Sequence, residues 1–411
     1  QSPMNLRRRS KNDWGRLDMR FNLWEDCNRV PLTELLSFVV DNRGKTVPTA
    51  PSGHKLIATN CVTNNTLFPV YEKIRYLSEE TYQTWFRAHP IPGDILFVNK
   101  GTPGRVCLVP DPVDFCIAQD MIALRADESK IYPKYLFAVL RSREIQQQIY
   151  NTNVGDVIPH FKKQFLDQLL IPIPERSIQE SIGDLYYVLS LKAERNKKIN
   201  DNLQQQAAAL FSSLYDRSNT EVRFTDLIQI LGGGTPKTGE NTYWNGNIAF
   251  FTPKDVGIPY TLITEKTISK EGLSHCNSRL YPVNTVFVTA RGTVGKVGMS
   301  GVPMAMNQSC YALVGKETHQ LLVYFYTLKV VDRLKHKASG AVFDAITTRD
   351  FESEQIMKLS DDDATAFLRV AEPMFQEVLN NNIENLRLST LRDSLLPKLM
   401  SGEIDVSAVQ L

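Results

Sequence analysis

An internal repeat constrains this chain more than any other feature. Residues 92–106 read PGDILFVNKGTPGRV and residues 282–297 read PVNTVFVTARGTVGKV. The two match at the Pro, at Phe-Val, at Gly-Thr, at the next Gly, at a basic residue and at Val, with one residue inserted. Downstream, IAQDMIAL (117–124) matches MNQSCYAL (306–313), so Gln119 falls on Gln308 and Ala123-Leu124 on Ala312-Leu313. Helical stretches follow at 133–150 and 320–337. After them come a glycine (Gly155, Gly340), an apolar residue six positions on (Phe161, Ile346) and a Phe (Phe165, Phe351). Several matches in one order, at a nearly constant offset, mean a duplicated unit. A chain of 411 residues has room for two such domains, each with its own core.

Each copy runs into a long helical stretch. The first, 177–218, has no Gly or Pro after Gly183 and opens with Ser177-Ile-Gln-Glu180, a capping-box pattern. Ile182, Leu185, Leu189, Ile199, Leu203 and Leu210 recur at steps of three and four, with polar Lys192, Asn196 and Gln206 on the same predicted seam. The second, about 362–396, follows the acidic start Ser360-Asp-Asp-Asp. Ile383, Leu386, Leu391 and Leu395 form its apolar side, Pro373 is early enough to be tolerated, and Pro397 is expected to interrupt it. The organisation is domain–helix–domain–helix: a basic arm at 1–24, domains at 25–176 and 219–359, helices at 177–218 and 360–411. The predicted fold class is mixed α/β, two similar domains separated by two long antiparallel coiled-coil helices, pseudo-twofold. DILFV and TVFVT read as strands and Gly-Thr-x-Gly as a tight turn.

A formal charge of +2 gives no global basic character, so any nucleic-acid contact must come from local patches. Arg7, Arg8, Arg9, Lys11 and Arg16 make one such patch. No apolar run approaches the length that spans a bilayer, no secretory signal opens the chain, and six scattered cysteines suit a reducing cytoplasm. Neither the cysteines nor the six histidines have metal-site spacing.

The loop GGGTPKTGENTYWNGNIAFFTPKDV (232–256) holds three glycines for close backbone approach. Gly234, Thr235, Lys237, Asn241, Tyr243 and Lys254 stand out in it as candidate DNA contacts. Tyr243 either anchors the loop or stacks on a base. A phosphate-loop reading fails, because Glu240 stands where the lysine is required. Lys100-Gly-Thr-Pro-Gly-Arg105 and Arg291-Gly-Thr-Val-Gly-Lys296 put two cations astride a glycine turn, a geometry suited to a phosphate clamp. Lys100, Thr102, Arg105, Arg291, Thr293 and Lys296 are therefore candidates. Gln119, Asn307 and Gln308 are amides in apolar strands that either read adenine or satisfy a buried turn. No nucleophile set, cofactor turn or methyl-donor tetrapeptide is present.

GGGTPKTGENTYWNGNIAFFTPKDV, ARGTVGKVG, MNQSCYAL and LRDSLLPKLMSGEIDV (391–406) resemble the specificity subunit of type I restriction–modification systems, over roughly 25–406. The resemblance implies a non-catalytic subunit with two target-recognition domains, each reading one half of a split site in double-stranded DNA. Two long helices would hold the domains apart and dock two copies of a methyltransferase subunit, and two motor-nuclease subunits can join. It implies no cofactor on this chain, with S-adenosylmethionine, ATP and magnesium on the partner subunits, and no membrane. Leu185, Leu189, Asn196, Ile199, Leu203, Leu210, Ile383, Leu386, Leu391 and Leu395 would pair the helices and dock partners. At the start of the first domain, VVDNRGKTVPTAPSGHKLIATNCV (39–62) replaces the Gly-Gly-Thr-Pro loop, and Lys45, His54, Lys55 and Asn60 are the candidates there. A helix from Gln179 to Ser212 spans about 50 Å, or roughly 15 base pairs, so its length would set the unread gap. Two other readings stay open: a metal-dependent endonuclease built on Pro110-Asp111 and Glu128-Ser129-Lys130, and a protein-interaction module without DNA contact.

Overall fold

The computed structural model describes residues 22–42, 44–152, 159–257, 259–337 and 345–405. The expected basic arm, and the aligned Gly155 and Gly340, lie outside the described residues. The chain forms two compact units, Gln1–Glu194 with Arg387–Leu411, and Arg195–Leu386. Each long helix therefore contributes one part to each unit.

The first unit holds a four-stranded antiparallel sheet in the order Leu36–Val40, Met121–Ala126, Ile95–Val98, Val106–Leu108. Beside it is a three-stranded sheet, Arg75–Leu77, His54–Ile57, Phe115–Ile117, whose last pair is parallel. A ribbon of Arg29–Pro31 with Leu170–Pro172 closes the unit. The second unit repeats this plan. Its larger sheet runs Ile228–Gly232, Cys310–Gly315, Val286–Thr289, Val297–Ser300, with Tyr260–Thr261 added at the edge. Its smaller sheet runs Lys266–Ile268, Trp244–Phe251, Met304–Met306, again with the last pair parallel, and its ribbon joins Thr220–Arg223 to Gln355–Lys358.

The strands Ile95–Val98 and Val286–Thr289 are buried at every position, because both faces of their sheets are covered. In the first unit Ile95 and Phe97 join the core under the helices, whereas Leu96 and Val98 join a second core on the other face. This corrects the alignment of the repeat. Leu96 pairs with Ala123 and Phe287 with Ala312, so Leu96, not Phe97, is the counterpart of Phe287. The Phe-Val identity is offset by one residue. A fully buried strand has no polar–apolar alternation to reveal such a slip, although the slip exchanges the faces.

Each unit packs parts of the two helices, Arg176–Asp216 and Asp361–Met400, antiparallel. In the second unit Phe211 lies 5.0 Å from Phe325 and 5.5 Å from Phe367 between ring centroids, with Ala207, Ala371 and Phe375 buried around it. Nearer the middle the interface turns polar. Asn196 donates to Glu384 Oε2 at 2.6 Å and Asn385 Oδ1 at 2.9 Å; Asn200 donates to Asn382 Oδ1 and accepts from Asn381, each at 2.9 Å. In the first unit Ile182 and Tyr186 share a core with Leu396, Leu399 and Met400, and the Arg392 guanidinium lies over the Tyr186 ring at 5.4 Å.

The seam differs from the expected frame. Leu185, Leu189, Leu203, Leu210, Ile383, Leu386 and Leu395 are half-buried and Asn196 is buried, but Ile199 and Leu391 are each 46% exposed, and Lys192 and Gln206 face outward. Tyr186, Asn200, Ala207, Phe211 and Leu214 take the central positions, one residue on from the frame that the leucines and Ile199 suggest. The capping box also does not form: Ile178 and Gln179 N–H donate to Glu175 O, and Glu180 pairs with Arg176 at 3.0 Å. Pro397 does not interrupt the C-terminal helix, which continues to Met400. Pro397 is exposed in the last turns, where a carbonyl deprived of its donor meets water.

The stretch 133–150 is two helices, Pro133–Leu140 and Arg143–Thr152, where the second unit has one, Gln320–Lys337. The break falls at Arg141-Ser142. The Arg141 guanidinium turns inward to donate to the carbonyls of Thr63, Thr66 and Val106, at 3.2, 2.5 and 2.7 Å. Burial lowers its pKa from the ordinary arginine value, and the Phe137 ring lies 4.4 Å away.

Candidate nucleic-acid interface

The glycine turns of the two units share a set of backbone hydrogen bonds. Gly104 N–H donates to Val98 O at 3.0 Å, and Gly295 N–H to Thr289 O at 2.9 Å. Phe161 N–H donates to Asn99 O at 2.8 Å, and Ile346 N–H to Ala290 O at 2.9 Å. Lys100 bridges to His160 as Arg291 bridges to Ala345. The glycines are needed for the backbone: φ is +86° and +85° at Gly101 and Gly104, and +81° and +76° at Gly292 and Gly295. That left-handed region costs an L-residue about 1–2 kcal/mol. Each turn raises its leading cation, Lys100 or Arg291, to the surface.

In the second unit this turn borders a cleft of about 590 Å³, lined by Thr252, Pro253, Lys254, Glu265, Lys266, Arg291, Gly292, Thr293, Asn307 and Ser309. Candidates from three separate segments of sequence, Lys254, Arg291 with Thr293, and Asn307, thus share one cleft. Lys254 is 80% exposed and stands 3.9 Å from Glu265, too loose and too wet to count as a locked pair. Lys266 extends over the Trp244 ring at 5.5 Å. Asp255 braces the wall: its carboxylate accepts from Thr252 N–H at 2.8 Å, Thr252 Oγ1 at 2.6 Å and Glu265 N–H at 2.7 Å.

The rest of the 232–256 loop is anchored in its own domain. A Cβ on Gly233 would lie 2.2 Å from Asn307 O, and one on Gly234 2.6 Å from Asn277 N. These glycines serve close packing of the chain on itself. Thr235 Oγ1 donates to Gln308 Oε1, Tyr243 stacks on His275 at 4.9 Å, and Trp244 Nε1 donates to Lys237 O at 3.1 Å. The side chains of Lys237, Asn241 and Lys296 are exposed.

The corresponding cleft of the first unit, about 460 Å³, is lined by Gly44, Asn99, Lys100, Gln119, Asp120, His160, Lys162, Lys163 and Gln164. Lys163 is paired with Asp41, and burial holds its ammonium below the ordinary lysine value. The oxygens Asn99 Oδ1 and Gln119 Oε1 are buried there without a partner among the described residues. Gln119 and its counterpart Gln308, with Asn307, occupy the turn between two strands and not the strands themselves. Arg105 is exposed and Thr102 half-exposed in the glycine turn, and Lys45 is exposed next to Gly44.

Three other first-domain candidates are engaged within their own unit. His54 Nε2 contacts Glu79 Oε2 at 2.6 Å and its ring stacks on Tyr82 at 4.1 Å. Lys55 pairs with Asp114 at 2.5 Å and lies 4.6 Å over Tyr71. Asn60 donates to Glu72 O at 2.6 Å. The sequence reading missed Glu265 and Lys266, whose strand begins after an irregular detour from the loop, and the step Lys162-Lys163, which directly follows the aligned Phe161.

Two residues of the endonuclease reading are engaged otherwise: Lys130 pairs with Asp127 at 3.3 Å and donates to Glu34 O at 2.9 Å, and Glu128 O accepts from Arg176. Among the described residues no group of three His, Cys, Asp or Glu side chains could hold a metal, and no helix is long and apolar enough to cross a membrane.

The model of the "Type I restriction modification DNA specificity domain" matches residues 42–205 and again 217–358. The chain is 23% identical over 399 residues to the type I restriction enzyme HindI specificity subunit of Haemophilus influenzae, covering 76% of this chain and 86% of that protein. It is 29% identical over 184 residues to the EcoR124I/EcoR124II specificity subunit of Escherichia coli, covering 40% and 45%. Its fold resembles the crystal structure of the type I system S subunit from M. genitalium, with a TM-score of 0.60 and 16% identity over 92% of this chain and 98% of that one. The chain belongs to the type I restriction–modification DNA-specificity family, as a specificity subunit and not a catalytic one.

Proposed function

We propose that the chain recognises a split site in double-stranded DNA, each unit reading one half through the cleft beside its glycine turn. Lys254, Arg291 and Lys266 would meet phosphate or base edges in the second half-site, and Lys100, Arg105 and Lys162 in the first. Thr293, Asn307, Thr102 and Gln119 carry groups suited to base edges. Lys45, Lys237, Asn241 and Lys296 would take flanking phosphates, whereas His54, Lys55, Asn60, Gly234, Thr235, Tyr243 and Gln308 would act by shaping the loops that hold them. The paired helices would dock two methyltransferase subunits, with motor-nuclease subunits able to join. Their length would set the unread gap. S-adenosylmethionine, ATP and magnesium would bind to those partners, and the assembly would work in the cytoplasm. The observation that carries this reading is the convergence of Lys254, Arg291, Thr293 and Asn307 on one cleft, framed by a turn whose backbone hydrogen bonds recur in the other unit.

Salt titration of the chain assembled with its methyltransferase partner tests it. Each phosphate contact contributes a slope of about −0.9 in log K against log salt. Arg291→Ala and Lys254→Ala should each weaken binding and flatten the slope by about one. Binding that ignores salt, or that neither variant changes, would favour the interaction-module reading.

A further inference from the structure

Glu265 is a carboxylate in a cleft whose other charged lining residues are the cations Lys254, Lys266 and Arg291. Two explanations of its presence fail. It does not stabilise the fold through an ion pair, since it is 60% exposed and stands 3.9 Å from a lysine that is 80% exposed. Nor is it a chance residue on a wandering loop. Its own N–H is held at 2.7 Å by Asp255, which also accepts from Thr252 N–H and Oγ1. Its neighbour Thr264 accepts from Phe250 N–H at 3.1 Å and donates to Lys266 O at 2.7 Å. A braced backbone therefore presents a solvated carboxylate where DNA is proposed to lie.

A carboxylate facing phosphate is repelled. Facing the major groove, it can accept from an exocyclic amino group, cytosine N4 above all and adenine N6 by the same chemistry, and it is repelled by the acceptors O6 and N7 of guanine and O4 of thymine. We propose that Glu265 is a specificity-determining residue of the second domain. It selects an amino-bearing base, C or A, at one strand position of the half-site and rejects G or T there. The proposal rests on the DNA-recognition reading above. Lys254, Lys266 and Arg291 supply the attraction that brings the duplex in, and Glu265 supplies a penalty that only some sequences escape.

The test uses the chain assembled with its methyltransferase partner and a library of duplexes varied one base pair at a time through the wild-type recognition motif. Glu265→Ala should lose roughly tenfold discrimination at a single position, the scale of one base-edge contact. Wild type should select C or A at that position, and the other positions should be untouched. Which of the two bases is selected distinguishes cytosine N4 from adenine N6. An alanine variant that tightens every duplex equally would make Glu265 a mere repeller, and a profile that does not change, or relaxation where wild type selects G or T, would equally overturn the proposal. If the wild-type complex itself shows no sequence preference, the proposed function fails first and this assignment with it.

Discussion

The two recognition units share a frame and differ in what it presents. Around Lys100 and Arg291 several backbone hydrogen bonds recur pair by pair. Around the clefts the side chains diverge. The second unit opens a cleft whose Lys254 and Arg291 are exposed and whose wall is braced by Asp255. The first has no Gly-Gly-Thr-Pro loop, draws its cations from Lys100, Lys162 and Lys163, and commits Lys55 and His54 to Asp114 and Glu79. A duplicated backbone that places a turn, combined with unlike walls, lets one architecture present two different chemistries. Backbone hydrogen bonds and obligatory glycines fix where each turn stands, and the side chains around it differ between the units.

The largest expected difference between the units concerns the broken helix. Arg141→Ala removes a donor from three carbonyls in the first unit, and deleting it should cost about 3 kcal/mol or more, read as a lower denaturation midpoint. The second unit has a continuous helix in the same place, so a domain-resolved probe such as hydrogen exchange should show the loss confined to the first. Uniform destabilisation would mean that the two units unfold as one. A smaller effect tests the shared frame. Gly104→Val and Gly295→Val each force an L-residue to positive φ, with a Cβ 3.1 Å from Ile149 Cδ1 in one and 2.6 Å from Lys335 Cε in the other. Both should lose about 1–2 kcal/mol in thermal or denaturant unfolding. Loss in only one would break the equivalence of the turns. The smallest effect belongs to Lys55→Ala. Its pair with Asp114 is partly exposed, so stability should fall by less than about 1 kcal/mol. DNA affinity should hardly move, and a tenfold loss of affinity would show that the first unit reads DNA through its small sheet.

Much of this architecture was legible in the sequence because it depends on local rules. Gly-Thr-x-Gly needs positive φ twice, and apolar runs bounded by Gly and Pro make buried strands, so the repeat and its turns could be found without coordinates. The failures came where one local pattern fits two arrangements. Phe97-Val98 matches Phe287-Val288 by identity, yet the faces they cover differ by one residue, and a strand buried on both sides carries no polarity to show it. Ile199 and Leu391 fit the leucine spacing, but the buried Asn200 and Asn381 and the aromatic Phe211 take a neighbouring stripe. Glu265 and Lys266 belonged to no motif, since only folding brings their strand to the cleft beside Arg291.

If the two units read two separate half-sites, the DNA modified by the assembled system carries a motif in two parts. The measurement that tests it most directly is methylation sequencing of genomic DNA from cells carrying this chain with its methyltransferase partner, compared with cells lacking this chain alone. A parallel strain would carry the double variant Lys254→Ala, Arg291→Ala. The account predicts a new methylated motif in two parts with an unread gap, and in the double variant a motif relaxed in one part and intact in the other. A single contiguous motif, or equal loss of both parts in the variant, would contradict it.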